Sequence, residues 1–527
     1  MTYNSILYLF IFLPAVFLAY QLAPGRFRYL VLLSASYIFF LSISGKLLLY
    51  LLFSTLSVHH TGLWLSYCKK NYEAASYGPE EKKAVKNAYQ KKRSKILWLG
   101  IGLQAGILLV LKYSVFFGRN INSLLAALSF PKLLPSVHFA LPIGISFYTL
   151  QAISYLADVY YGKIEADENL GRLALYLAFF PTLMEGPICR YCQTAQALYS
   201  GKPLEYKNMA WGAQRLLWGL FKKLVIADRL NLLVETVFNA PDQYGGIAVI
   251  AGAALYTFQL YADFSGCIDM TIGTGEMLGV TIPENFLAPF ASKTPSEFWR
   301  RWHITLGAWL KDYIFYPISL TRFSKNLGKK LRSKFGKHTG QVLASCPALF
   351  GVWFLNGLWH GTGWHYIFYG MYYFVLILGG NLAEPAAEKA AAALRIDRDS
   401  LVYRGFQTIK LLLIVFTGEL FFRADNLTIG IHMFLSIFTG FRWSALTDGS
   451  LLKLGLSPAD FAAVFLGFSG VCLAGSLHRR GISIREKISG WNTAGRWCFL
   501  YAFILLVILL GAYGDGYLPA KMIYAGF

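Results

Sequence analysis

The chain has 527 residues, 56% of them hydrophobic and 15% charged. Soluble globular chains average about 45–50% apolar and about 25% charged. Too few charges remain to cover the roughly three or four soluble domains that this length otherwise implies, and the apolar excess excludes disorder. The class left is an all-α polytopic membrane protein with lipid solvating its outside. The net charge of +21 reads as basic cytoplasmic loops rather than nucleic-acid binding, because the basic runs sit between apolar spans. Seven cysteines, most of them inside apolar runs, make no disulfide framework. Cys189 and Cys192 form a lone C-x-x-C, a weak sign of metal or redox chemistry.

A helix needs about 20 apolar residues to cross the hydrocarbon core. The first run, Ile6 to Ala23, has no basic n-region and no small-residue cleavage site, so it reads as an anchor rather than a signal peptide. Spans follow near 29–44 and 47–67. The segment 69–95 then carries nine lysines and arginines against three glutamates and reads as a cytoplasmic loop. Further runs lie near 96–117, 139–160, 173–184, 208–226, 247–262, 342–359, 364–380, 407–422, 459–476 and 496–513. The expected count is about eleven spans plus re-entrant and interfacial helices. Arg322–His338, basic and without acid, reads as a second cytoplasmic loop, and Ala386–Ala393 as a cytoplasmic helix. The tail from Gly514 falls outside; Tyr517, Ile523, Tyr524 and Phe527 make it a candidate protein contact. Pro181, Gly186 and Pro187 break the sixth run, and 283–317 is polar and aromatic at once. Irregular backbone at membrane depth is tolerated only in protein or around a wet cavity, so a cavity in the middle of the fold is expected.

Ionisable residues within spans default to functional candidates. Three segments hold them. From Glu297 to Tyr313, helical spacing puts Phe298, Trp302, Leu306, Trp309 and Tyr313 on one face, with Arg300, His303 and Lys311 off it. An interfacial amphipathic helix explains Arg300, Arg301 and Lys311 as well as a site does; His303 is either a structural or a pocket histidine. The second segment, Asn356 to His365, places Trp359 and His360 among glycines between two apolar runs. A neutral imidazole near the bilayer centre can accept a proton from an alcohol, which favours His360 over a bland buried histidine, whereas His365 stays bland. The third segment, Tyr256 to Met270, carries Asp263, Ser265 and Asp269. Structural acids bonded to backbone donors or to the arginines above explain the two carboxylates better than function does. Gly273-x-Gly275 with Gly279 is no dinucleotide fingerprint. Glu419 and Arg423 can pair one turn apart.

At these segments the chain resembles the membrane-bound O-acyltransferase (MBOAT) family, and within it the bacterial branch holding the alginate O-acetyltransferase and teichoic-acid D-alanyl transferase membrane subunits. The likeness rests on LPIGISFYTLQAISYLADVYYGK (141–163), EGPICRY (185–191), YADFSGCIDMTIG (261–273), ENFLAPF (284–290), FWRRWHITLGAWLKDYIFYP (298–317), GLWHG (357–361), FFRADNLT (421–428) and IYAGF (523–527). Tyr372, Tyr373 and Glu419 depart from the pattern, which bears on the acceptor more than on the reaction. The resemblance implies N-terminal transmembrane helices over 1–135 and a catalytic core over 136–527. It also implies acyl transfer in a tunnel, with His360 catalytic and His303 the second characteristic polar position.

A thioester needs a base for its attacking hydroxyl and a stabiliser for the developing oxyanion. His360 and His303 fill the first role and its support, and a tryptophan N–H such as that of Trp359 can orient groups nearby. Arg300, Arg301 and Lys311 suit donor phosphates. Trp302, Asp312, Asn356, Asp263 and Ser265 complete the expected substrate contacts. The expectation is an O-acetyltransferase of a bacterial plasma membrane acting on a cell-surface or secreted polysaccharide. The resemblance implies acyl-CoA or an acylated carrier protein as the cytoplasmic donor and an extracytoplasmic SGNH-type partner; no bound cofactor or metal is expected. D-alanyl transfer to teichoic acid and a channel or transporter for an anionic solute remain as alternatives.

Overall fold

A computed structural model describes residues 1–75, 78, 81–135, 137–513, 517 and 520. Among them the chain is helical, with an isolated antiparallel bridge between Phe286 and Trp302. Eight helical stretches among the described residues are long and apolar enough to cross a membrane, and Leu7–Leu22 and Leu427–Thr439 are shorter apolar helices. One of the eight, Gly25–Ala74, holds two helices, Arg28–Ser44 and Leu48–Ala74, joined at Gly45, whose φ of +50° is one that few side chains adopt.

The described residues form two compact units. The first comprises Met1–Leu216 and Ile268–Pro283; the second comprises Leu217–Cys267 and the residues from Glu284 on. In the first, Tyr3, Tyr8, Phe12, Phe39 and Phe180 make a buried aromatic nucleus. The Tyr3 hydroxyl donates to the carbonyls of Phe180 and Pro181 at 3.0 and 2.9 Å. The sixth apolar run is not a span. It is split into Leu170–Ala178 and Phe180–Leu183, followed by a cis Gly186–Pro187 bond with Gly186 at φ +80°. The run near 208–226 likewise continues from the Tyr206–Phe221 helix through a π-helical turn, Lys222–Ala227, into Asp228–Phe238.

The basic segment expected as a loop is mostly helix. Lys82 to Lys95 open the 47-residue helix Glu81–Ala127, about 70 Å long at 1.5 Å per residue, more than twice the roughly 30 Å hydrocarbon core. Long basic side chains suit a helix as well as a loop. The second expected loop is also helical, over Arg322–Phe335. It packs on the next helix so closely that a Cβ on Gly340 would lie 2.5 Å from the Arg332 backbone.

In the second unit, Lys337–His360 and Trp364–Ala393 form a tight helical hairpin. A Cβ on Gly370 would lie 2.2 Å from the Trp353 carbonyl, and one on Gly357 would lie 2.4 Å from that of Tyr366. Ala386–Ala393 is the end of the second arm rather than a separate helix. Of the tail, Ile523, Tyr524 and Phe527 lie outside the described residues. Tyr517 is tied down: its hydroxyl donates to Asp460 at 3.0 Å, and Arg229 stands over its ring.

Candidate active site

His303 sits at a break in the chain. The spacing from Glu297 to Tyr313 predicts one continuous amphipathic helix; the structure instead has Pro295–Arg301, an extended Trp302, and a new helix Ile304–Leu310. The bridge to Phe286 is what interrupts it. Leu287 N–H donates to the Arg301 carbonyl at 2.9 Å, and Ile304 N–H donates to the Asn285 carbonyl at 3.0 Å. His303 adopts φ +47°, a left-handed conformation costing on the order of 1–3 kcal/mol for a non-glycine residue and concentrated at functional sites.

Asn285, fully buried, over-determines that conformation. Its Oδ1 accepts from Thr305 N–H at 3.0 Å and from the Thr305 hydroxyl at 2.9 Å. A backbone N–H only donates, so this oxygen is the amide carbonyl. His303 Nδ1, 3.3 Å from it, therefore carries the proton, and Nε2 carries the ring lone pair.

Trp359 links the two imidazoles. Its ring centroid lies 5.6 Å from that of His303 and 5.0 Å from that of His360. Phe264 closes the far side of His303 at 4.9 Å. Phe422 and Tyr369 meet His360 edge-on at 5.1 and 6.0 Å. All three site residues are buried. His360 lies between the two apolar runs, as the sequence places it. It is the last residue of Lys337–His360, where the extended Gly361 ends the helix, so its ring sits beside the partly negative helix terminus. Asn356, one turn back and buried, shares its face. His365 is buried against Tyr366 at 4.0 Å.

The other expected contacts separate from this row. Asp263 joins a buried ion cluster: Lys223 Nζ lies 2.6 Å from Asp263 and 2.9 Å from Asp228, and it donates to the Ala520 carbonyl at 2.8 Å. Ser265 accepts from Lys222 at 2.8 Å. The second carboxylate, Asp269, meets Arg215 at 2.5 Å, within the first unit. Neither acid pairs with Arg300 or Arg301. Arg301 pairs with Glu297 at 2.6 Å, one turn away. Trp302 is buried among Tyr261, Phe286, Phe290 and Phe298. Arg300 and Lys311 are exposed and Asp312 is half-buried. The pairing expected of Glu419 with Arg423 does not form. Arg423 meets Glu235 at 3.0 Å, and Glu419 accepts from the Tyr369 hydroxyl at 3.0 Å.

Set against known proteins, residues 34–395 match MBOAT, the membrane-bound O-acyltransferase family. The chain belongs to this family. It is 32% identical over 477 residues to the "Probable alginate O-acetylase AlgI" of Azotobacter vinelandii, covering 90% of this chain and 85% of that one. To the "Peptidoglycan O-acetyltransferase" of Helicobacter pylori it is 30% identical over 70% of this chain and 68% of the relative. To the "Teichoic acid D-alanyltransferase" of Bacillus subtilis it is 30% identical over 46% and 59%. A multi-pass MBOAT protein with such relatives is an O-acyltransferase, which replaces the channel or transporter alternative.

Asn285, beside the histidine row, and Lys222, Lys223 and Asp228, in and beside the ion cluster, are residues that motif reading passes over. Two adjacent lysines and an aspartate inside an otherwise apolar run, FKKLVIAD, are the signal for the ion cluster, because buried charges need partners. Nothing in ENFLAPF marks its asparagine as the anchor of a histidine eighteen residues on.

Proposed function

We propose that this protein is an O-acetyltransferase of a bacterial plasma membrane that takes acetyl from a cytoplasmic thioester and delivers it for modification of an envelope or secreted polysaccharide. The supporting observation is the buried His303–Trp359–His360 row, in a chain whose alginate O-acetylase relatives cover nine-tenths of its length.

In the proposed reaction, His360 accepts the proton of the acceptor hydroxyl as that oxygen attacks the thioester carbon. The C–O bond forms and the carbonyl becomes an oxyanion, which a nearby N–H such as that of Trp359 stabilises. Collapse breaks the C–S bond, and the departing sulfur takes the proton from His360 and leaves as the thiol, which restores the neutral imidazole. His303, its Nδ1 proton engaged by Asn285, presents Nε2 as a hydrogen-bond acceptor that orients the attacking hydroxyl. Burial keeps competing water away from the thioester. Arg300 and Lys311, both exposed, bind the phosphates of an acyl-CoA or carrier-protein donor. An extracytoplasmic SGNH-type protein is the proposed partner that passes the acetyl group to the glycan.

The test is donor choice. The purified protein is incubated with radiolabelled acetyl-CoA and, separately, with a D-alanyl carrier protein. Consumption of acetyl-CoA supports acetyl transfer. Consumption of the D-alanyl donor alone replaces it with the activity named for the Bacillus subtilis relative.

A further inference from the structure

Three aromatic rings wall the imidazole of His360. Trp359 is its chain neighbour. Phe422 and Tyr369 come from two other helices, Leu401–Arg423 and Trp364–Ala393, and meet the imidazole edge-on at 5.1 and 6.0 Å. The Tyr369 hydroxyl donates to Glu419 Oε1 at 3.0 Å. Glu419 lies three residues before Phe422, so the two side chains share one face of their helix. That helix therefore reaches the His360 ring twice, directly through Phe422 and by way of Tyr369 through Glu419. Gly418 lets it come this close: a Cβ there would lie 2.6 Å from the Tyr373 hydroxyl.

Glu419 and Tyr369 are both buried. Oε2 of Glu419 has no hydrogen-bond partner among the described residues, and the cation one turn away, Arg423, is engaged by Glu235. A carboxyl buried with one hydroxyl donor costs more than a leucine of similar size in the same place. Stability thus does not account for the pair, and an ionisable residue within a span defaults to a functional role. Its effect here is geometric. Tyr369 is pinned at both ends, its hydroxyl by Glu419 and its ring by Tyr373 at 5.1 Å and Phe422 at 5.0 Å. A ring held in this way keeps its place against His360, and a base contributes its full rate only when its own ring is held in the productive orientation.

We propose that Glu419 and Tyr369 are positioning residues for His360: the carboxyl fixes the tyrosine, and the tyrosine ring fixes the imidazole that takes the acceptor proton. Neither residue touches the reacting atoms, and the role requires no ligand between them. It depends on an accepting oxygen at 419 and a donating hydroxyl at 369, so glutamine serves at the first position and leucine does not, while phenylalanine fails at the second. The assignment rests on His360 as the base of O-acyl transfer, as proposed above.

The test uses the full-length protein in detergent and has two readouts. The first needs no donor: the protein carries isotope-labelled histidine, and the NMR signal of the His360 ring is assigned by its loss in His360→Ala. Tyr369→Phe and Glu419→Leu shift that signal, and Glu419→Gln returns it to the wild-type position. The second is acetyl transfer from acetyl-CoA. Tyr369→Phe and Glu419→Leu lower kcat about 10- to 100-fold and leave KM for acetyl-CoA within about twofold. The double variant is no slower than the worse of the two single ones, because both act through one contact, and Glu419→Gln stays within about threefold of wild type. Replacing both partners by apolar groups leaves Tm within a few degrees of wild type, which separates the loss of rate from a loss of fold. An unchanged His360 signal in both single variants, an unchanged kcat, a Glu419→Gln as slow as Glu419→Leu, or a double variant that unfolds overturns the positioning role. Wild-type protein that consumes no acetyl-CoA is a separate outcome, which overturns acetyl transfer and leaves the His360 signal to decide the positioning role.

Discussion

Asn285 holds His303 from eighteen residues away, with one amide oxygen 3.3 Å from the ring Nδ1 and 2.9–3.0 Å from both donors of Thr305. This side chain thus fixes the ring tautomer and supports the left-handed backbone beneath it, together with the backbone bond from Ile304 to Asn285. Asn285→Ala removes the acceptor and lowers kcat by about 10- to 100-fold, the usual cost of losing an orienting partner. Asn285→Asp keeps an accepting oxygen and stays within a few-fold of wild type. Steady-state kinetics of acetyl transfer, with thermal unfolding to check the fold, measure both; equal loss in the two variants contradicts the orienting role.

Lys223 carries the charge balance of the second unit's ion cluster. Removing it leaves Asp228 and Asp263 facing one another in a buried site, and breaking such a cluster from one side costs about 3–5 kcal/mol. Lys223→Met therefore lowers Tm in detergent by several degrees or prevents folding, and the triple variant with Asp228→Asn and Asp263→Asn regains most of the loss. An unchanged Tm in Lys223→Met contradicts the assignment.

The hairpin that ends at His360 depends on glycine at its closest approach. Gly370→Ala drives a methyl to 2.2 Å from the Trp353 carbonyl and costs about 1–3 kcal/mol as the helices separate. Gly379→Ala, on the same helix with open space around it, gains up to about 1 kcal/mol from helix propensity. Opposite signs of the two Tm shifts are the expected result.

Arg300 and Lys311 remain on the surface after folding, where charged donors are available to a soluble ligand. The double variant Arg300→Ala with Lys311→Ala raises KM for acetyl-CoA about tenfold, as loss of charge-assisted hydrogen bonds predicts. It leaves KM for acetyl-N-acetylcysteamine, a thioester without phosphates, within twofold. A parallel rise for both donors points to a structural role instead.

The legible parts of this protein are those that one-dimensional pattern controls. Apolar runs near 20 residues mark the spans, and the GLWHG glycines mark the turn that presents His360. Two kinds of information lie outside that pattern. Backbone breaks set by distant pairing are the first: the Phe286–Trp302 bridge splits what helical spacing reads as one helix. Partner choice among charged groups is the second. Glu419 and Arg423 have the spacing of a salt bridge, yet each turns to a residue on another helix, Tyr369 and Glu235. Basic stretches also misled, since lysines over 82–95 fit the opening of a long helix as well as a loop.

The central claim is that the imidazole of His360 takes the acceptor proton. The most direct measurement is the rate of acetyl transfer from acetyl-CoA by His360→Ala, purified beside the wild type and matched to it in Tm. The account predicts a fall of roughly 10²–10⁴-fold, the size of a general-base contribution. A folded His360→Ala protein that transfers acetyl within a few-fold of the wild-type rate contradicts it.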